Sequence, residues 1–123
     1  MAPHLKTDIE SAAKRLAWCG DSLDRIRDFP EAARRKVGQQ LNRLQHGYEP
    51  FDWKPLTNVG AGVCEIRVHQ EGEYRVLYVT NLAEAIYVLH AFAKKSRKTP
   101  KRDLAIASVR FRGLVAARQN LFP

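Results

Sequence analysis

Apolar and polar positions along the chain fall into two periods, one helical and one of strand type. Phe29, Ala33, Val37, Leu41 and Leu44 step by four, four, four and three residues, which lines one face of a helix. Asp28 with Glu31 three residues on resembles a capping box, Pro30 suits a first turn, and Gly47 marks the end. Arg34, Arg35, Lys36 and Arg43 lie off the stripe, on a face left to solvent. Upstream, RLAWC (15–19) is short and apolar enough for a first strand ending at Gly20-Asp21. SLDRIRDF predicts a first short helix, because Leu23, Ile26 and Phe29 recur at helical spacing. Residues 1–14 read as weakly helical or frayed.

Residues 48–62, YEPFDWKPLTNVGAG, read as a loop from their proline, glycine and asparagine. The period then changes to two. In VCEIRVH, Cys64, Ile66 and Val68 alternate with Glu65, Arg67 and His69; in YRVLYVT, Tyr74, Val76 and Tyr78 share one face and Arg75 takes the other. QEGE turns between them. After the NLAE turn, AIYVLHAF is apolar on both faces, as in a central or well-covered strand. Thr99-Pro100 opens a last helix whose stripe is Leu104, Ala107, Phe111 and Leu114. The order β-α-α-β-β-β-α predicts an α+β fold, with helices packed on one side of a small, mainly antiparallel sheet.

At 123 residues the chain fits a single domain, 1–123, with an ordinary core. No apolar run reaches the roughly 18 residues that span a bilayer, and the first residues lack the apolar centre of a signal peptide. A cytoplasmic protein with two reduced, partly buried thiols, Cys19 and Cys64, is expected. The net charge of +8 biases the domain toward polyanions: nucleic acid, an acidic protein or an anionic surface.

That charge has a local pattern. Aligning the apolar faces of the hairpin, with Gln70, Glu71 and Gly72 as a three-residue loop and Gly72 left-handed, sets His69 opposite Glu73 and Arg67 opposite Arg75. Like charges directly opposite destabilise a sheet by about 0.2–1 kcal/mol, and an anion between them offsets that. The run FAKKSRKTPKR (92–102) leaves the last strand near the same row, and Lys54 in WKPL is within reach. Converging lysines and arginines suit phosphate binding and stabilisation of charge at phosphorus. The alternatives are a solvated strand-to-helix loop at 94–102 and a surface ion pair of Arg67 with Glu65 or Glu73. His69 and His90 suit structural roles better than catalytic ones. No glycine-rich phosphate loop, nucleophile elbow or metal-ligand cluster is present.

LAWCGDSLDRIRDFP, GQQLNRLQHG, WKPL, GAGVCEIRV, GEYRVLYV and YVLHAFAKKSRKTP stand in an order that resembles the RelE/ParE superfamily of toxins from type II toxin–antitoxin pairs, in its phage-derived Gp49-like, HigB-type branch. The resemblance spans residues 15 to about 113. It implies a RelE-like fold with two N-terminal helices on one side of the sheet and a C-terminal helix. It implies a ribosome-dependent mRNA endoribonuclease that uses no metal and no other cofactor, in which a ribose 2′-OH attacks the adjacent phosphate.

Carried over by position, Arg75 stabilises transition-state charge, Arg67 contacts or stabilises the phosphate, and Lys94 and Lys95 lie at the basic strand end, one near the leaving group. Lys54, Arg97, Lys98 and Lys101 would bind RNA phosphates. The chain departs from better-known relatives in having no tyrosine after Tyr87 and no histidine after His90. The general base is thus left open among a lysine, His90 or no single group, and Glu65 stands where some relatives carry lysine. Implied partners are a cognate antitoxin, acidic or helix-turn-helix, in a hetero-oligomer, together with the ribosome and mRNA; a membrane is not among them. A gyrase-poisoning ParE-like toxin and an inactive nucleic-acid-binding prophage remnant are the alternatives.

Overall fold

The computed structural model describes residues 13–121; the frayed or weakly helical reading of 1–14 falls almost wholly outside them. The elements are β1 (Leu16–Trp18), α1 (Ser22–Arg27), α2 (Glu31–Gln45), β2 (Trp53–Pro55), β3 (Val63–His69), β4 (Glu73–Val79), β5 (Ile86–Lys94) and α3 (Lys101–Leu121). The five strands form one sheet in the order β1-β5-β4-β3-β2. β1 runs parallel to β5, and the other pairs are antiparallel. The fold is α+β, RelE-like in its element order. No described helix is long and apolar enough to cross a membrane.

The periodicities place the core on both faces of the sheet. Ile26 of α1 and Phe29 just after it, with Ala33, Val37, Leu41 and Leu44 of α2, pack on Ile66, Val68, Tyr74, Val76 and Tyr78. Leu77, Val79, Leu89 and Phe92 point the other way and meet Ala107, with Leu104, Phe111 and Leu114 at the margin. The C-terminal helix therefore covers the opposite face from α1 and α2. The two N-terminal helices share one face, as the family resemblance implies, whereas the broader expectation of all helices on one side is corrected. This explains why AIYVLHAF is apolar on both faces, since β5 lies between β1 and β4 with a helix on each side.

Local chemistry departs from the pattern in four places. The stretch 48–62 contains β2, a three-residue edge strand paired with β3; its proline, which cannot donate to a ladder, suits an edge. Asp28 does not cap α2: it ends α1, and Pro30 holds the N-cap position with no side-chain cap bond. In the β3–β4 turn the left-handed residue is Glu71, at φ +51°, rather than Gly72, at +155°. Finally, Leu77 pairs with His90 and Tyr78 with Val88, so Leu89 is an extra residue in β5. This bulge lets Leu89 and His90 both face α3.

Other expectations hold. Gly47 follows α2 at φ +85°, where a β-carbon is disfavoured. Both cysteines are free and partly buried, and burial raises the pKa of each thiol.

Candidate active site

The hairpin register is the expected one: Arg67 stands opposite Arg75, and His69 opposite Glu73. Across β5, Phe92 pairs with Arg75 and Lys94 with Glu73; on the other side Lys54 pairs with Glu65. Because alternate residues share a face, Lys54, Glu65, Arg67, Arg75 and Lys94 all project on the α3 side of the sheet. α3 crosses only part of that face. Between its first turn and the strands lies a groove of about 760 Å³.

Lys54, Arg67, Arg75 and Lys94 line the groove from the sheet, and Arg97, Lys98 and Lys101 line it from the β5–α3 connection and the start of α3. Seven cationic side chains thus meet a single carboxylate, Glu65. The positive end of the α3 dipole adds to the field. The run 94–102 is largely exposed, as in the solvated-loop alternative, yet Lys94, Arg97, Lys98 and Lys101 line the groove. Lys94 Nζ donates to the carbonyls of Ser96 and Arg97, and Ser96 Oγ donates to the Lys98 carbonyl at 2.8 Å. These bonds fold the loop so that Arg97 and Lys98 reach the groove.

The two central arginines differ in burial. Arg75 is 7% exposed; its Nη1 donates to Glu73 at 3.1 Å and to the Tyr74 carbonyl at 3.0 Å. Its other N–H groups make no bond among the described residues, so they are available to a ligand. Arg67 is more open, and its Nε donates to Glu65 Oε1 at 3.1 Å. Lys54 Nζ lies 4.0 Å from the same oxygen. The expected alternative of an Arg67–Glu65 ion pair is therefore present, but the carboxylate is buried and the pair belongs to the groove.

Beside the groove, at the hairpin end, His69 is held between two carboxylates. Its Nε2 lies 2.7 Å from Asp52 and its Nδ1 2.8 Å from Glu73. The bonds to Asp52 and then Glu73 raise its pKa, and the bond to His69 leads in lowering that of Glu73. A doubly bonded imidazolium donates from both nitrogens. This network was missed at the level of sequence because Asp52 lies in the stretch read as loop.

Two of the expected site residues are elsewhere. Lys95 follows the end of β5 and lines a smaller pocket beside Glu71, Gly72 and Tyr74, which shares Lys94 with the groove. His90 is fully buried under α3. Its Nε2 donates to Asp103 at 2.7 Å, which leaves Nδ1 as acceptor for Arg110 Nη1 at 3.5 Å. Burial lowers its pKa, so the ring is a neutral structural link between β5 and α3. Among the described residues no group of three or more His, Cys, Asp or Glu side chains could hold a metal ion.

Comparison with known proteins bears on the whole arrangement. A family model for the phage-derived Gp49-like proteins (DUF891) matches residues 24–112, a span that contains every residue lining the groove. No curated protein matches the chain. The chain belongs to the phage-derived Gp49-like family, the RelE/HigB-type toxin branch that its ordered motifs resemble.

Proposed function

We propose that the protein is the toxin of a type II toxin–antitoxin module and acts as a ribosome-dependent mRNA endoribonuclease, without a metal or other cofactor. The family supports the toxin class and a cognate antitoxin in general terms. The observation that carries the nuclease reading is the facing pair Arg67 and Arg75 in a groove with five further cations. Each arginine already has one glutamate as counter-charge, Glu65 or Glu73, yet the groove keeps a large excess of positive charge, and a phosphate passing through charge build-up at phosphorus is the anion it suits best.

In this reading the ribose 2′-OH attacks the adjacent phosphate, leaving a 2′,3′-cyclic phosphate and a 5′-OH. Arg75, rigid and buried, stabilises the charge on the non-bridging oxygens. Arg67 contacts the same phosphate, and Lys94 lies near the leaving oxygen. Lys54, Arg97, Lys98 and Lys101 hold flanking phosphates. The ribosome orients the nucleotides, so little activity is expected in free solution. A helix-turn-helix or acidic antitoxin covers the basic face in the resting cytoplasmic complex.

The test is a reconstituted translation reaction with purified protein, mapping mRNA 5′ ends, with a ribosome-free control. Cuts that require ribosomes and vanish in Arg75→Ala support the reading. Intact mRNA with folded protein, together with arrest of DNA supercoiling, points instead to a gyrase poison.

A further inference from the structure

Glu65 is the one acid among the side chains lining the groove, and it is 1% exposed. Its Oε1 is answered by Arg67 and Lys54. Its Oε2 is the one buried side-chain oxygen or nitrogen among the described residues with no hydrogen-bond partner. A buried carboxylate oxygen without a donor is costly, and a carboxylate in a phosphate groove repels the ligand. Pairing with Arg67 and Lys54 uses only Oε1, and a groove meant for phosphate alone has no use for the second oxygen. One meant for a phosphate beside a hydroxyl does, because the cations hold the anion and the free oxygen accepts the hydroxyl hydrogen.

We infer that Glu65 is the proton acceptor of this groove, its Oε2 taking the hydrogen of a hydroxyl adjacent to the bound phosphate. This rests on the nuclease reading, in which that hydroxyl is the ribose 2′-OH. Arg67 and Lys54, the two cations paired with Oε1 of Glu65, are also groups that a bound phosphate draws toward itself. As the 2′-oxygen bonds to phosphorus, its proton passes to Oε2. The bond from phosphorus to the 5′-oxygen breaks, and that oxygen takes a proton from the Lys94 ammonium. Exchange with water returns Glu65 to carboxylate and Lys94 to ammonium, so the RNA is cleaved by transesterification with no other reactant. The general base left open by the missing C-terminal tyrosine and histidine is supplied from the sheet.

The experiment measures single-turnover cleavage on stalled ribosome–mRNA complexes with wild type, Glu65→Gln and Glu65→Asp, each checked for folding by thermal melt. At saturating protein, Glu65→Gln is expected to cut about 10²–10⁴-fold more slowly, with the half-saturating concentration within about twofold of wild type. Glu65→Asp is expected to recover part of the rate. A Glu65→Gln variant that cuts at the wild-type rate, or one whose defect is wholly in half-saturation, overturns the assignment.

A second arm needs no catalysis: binding of a short oligoribonucleotide and its 2′-deoxy counterpart to the free protein at low salt. Wild type is expected to prefer the ribose form by about threefold or more, and Glu65→Leu to lose that preference while still binding both. Equal preference in the two proteins, or none in wild type, overturns the role of Glu65. A wild type that never cuts but keeps the Glu65-dependent ribose preference overturns the nuclease reading and leaves Glu65 as the acceptor of a ribose hydroxyl.

Discussion

Arg67 and Arg75 face each other across β3 and β4, and each is bonded to a glutamate two residues earlier on its own strand, Glu65 and Glu73. Residues two apart share a sheet face, so the pairing is built into the strand period. The two glutamates are not equivalent. Glu65 is buried and bonded toward the groove, whereas Glu73 is partly open and shared with His69. The row therefore holds one buried charge pair inside the groove and one more open pair, shared with His69, at its edge.

Arg75→Ala is expected to lower ribosome-dependent cleavage by at least about 100-fold, the scale of removing one charge-stabilising donor. Loss of its packed stem is expected to cost about 1–2 kcal/mol of stability. The two effects are read separately, by primer extension on cleaved mRNA and by denaturant unfolding. A folded variant with full activity would remove Arg75 from the machinery.

Lysines in the groove and outside it are expected to behave differently toward single-stranded RNA. Lys98→Ala and Lys101→Ala should each reduce the slope of log affinity against log salt by about 0.7–1. Lys95→Ala should leave it nearly unchanged, since Lys95 lines a different pocket. Fluorescence titrations at four or five salt concentrations make the comparison. An equal loss for Lys95 would place the RNA path across the hairpin end.

Stability should depend on pH through His69 with a definite sign. Its pKa is raised, so its contribution is complete below its ordinary value of 6.5 and is lost as pH rises through the folded value. Glu73 is lowered, so its contribution is present above 4.5 and is lost as pH falls through its depressed value. The melting-temperature advantage of wild type over His69→Gln should be largest between about pH 4.5 and 6.5 and shrink above that. A difference that grows toward alkaline pH would contradict the bridged imidazolium.

His90 should behave in the opposite way. It is held neutral by burial, so its contribution is present above 6.5 and is lost as pH falls through the depressed value. His90→Ala leaves the buried Asp103 carboxylate without its donor and is expected to cost about 3 kcal/mol or more. His90→Gln, which can still donate to Asp103, should be milder and should keep cleavage per folded molecule within a few-fold. A specific loss of cleavage in folded His90→Gln would return His90 to the chemistry.

The amino-acid sequence by itself determined the elements that depend on short-range pattern. The stripe from Phe29 to Leu44 specified α2, alternation specified β3 and β4, and matching their apolar faces set Arg67 against Arg75, because a one-residue slip would turn every apolar side chain to the wrong face. The ordered motifs were enough to indicate the family. Tertiary structure decided what depends on contacts between distant segments. Ala107 packs on Leu77 and Leu89, which puts α3 on the far face of the sheet and walls the groove. The bulge at Leu89 turns His90 under α3 and away from the groove. The short pairing of Trp53–Pro55 with β3 brings Lys54 beside Glu65. On the strand alone Glu65 reads as an outward polar residue; in the fold it is a buried carboxylate, flanked by β2 and Arg67, with a free oxygen. Periodicity records which face a side chain takes, whereas burial and partners depend on which distant residues arrive on that face.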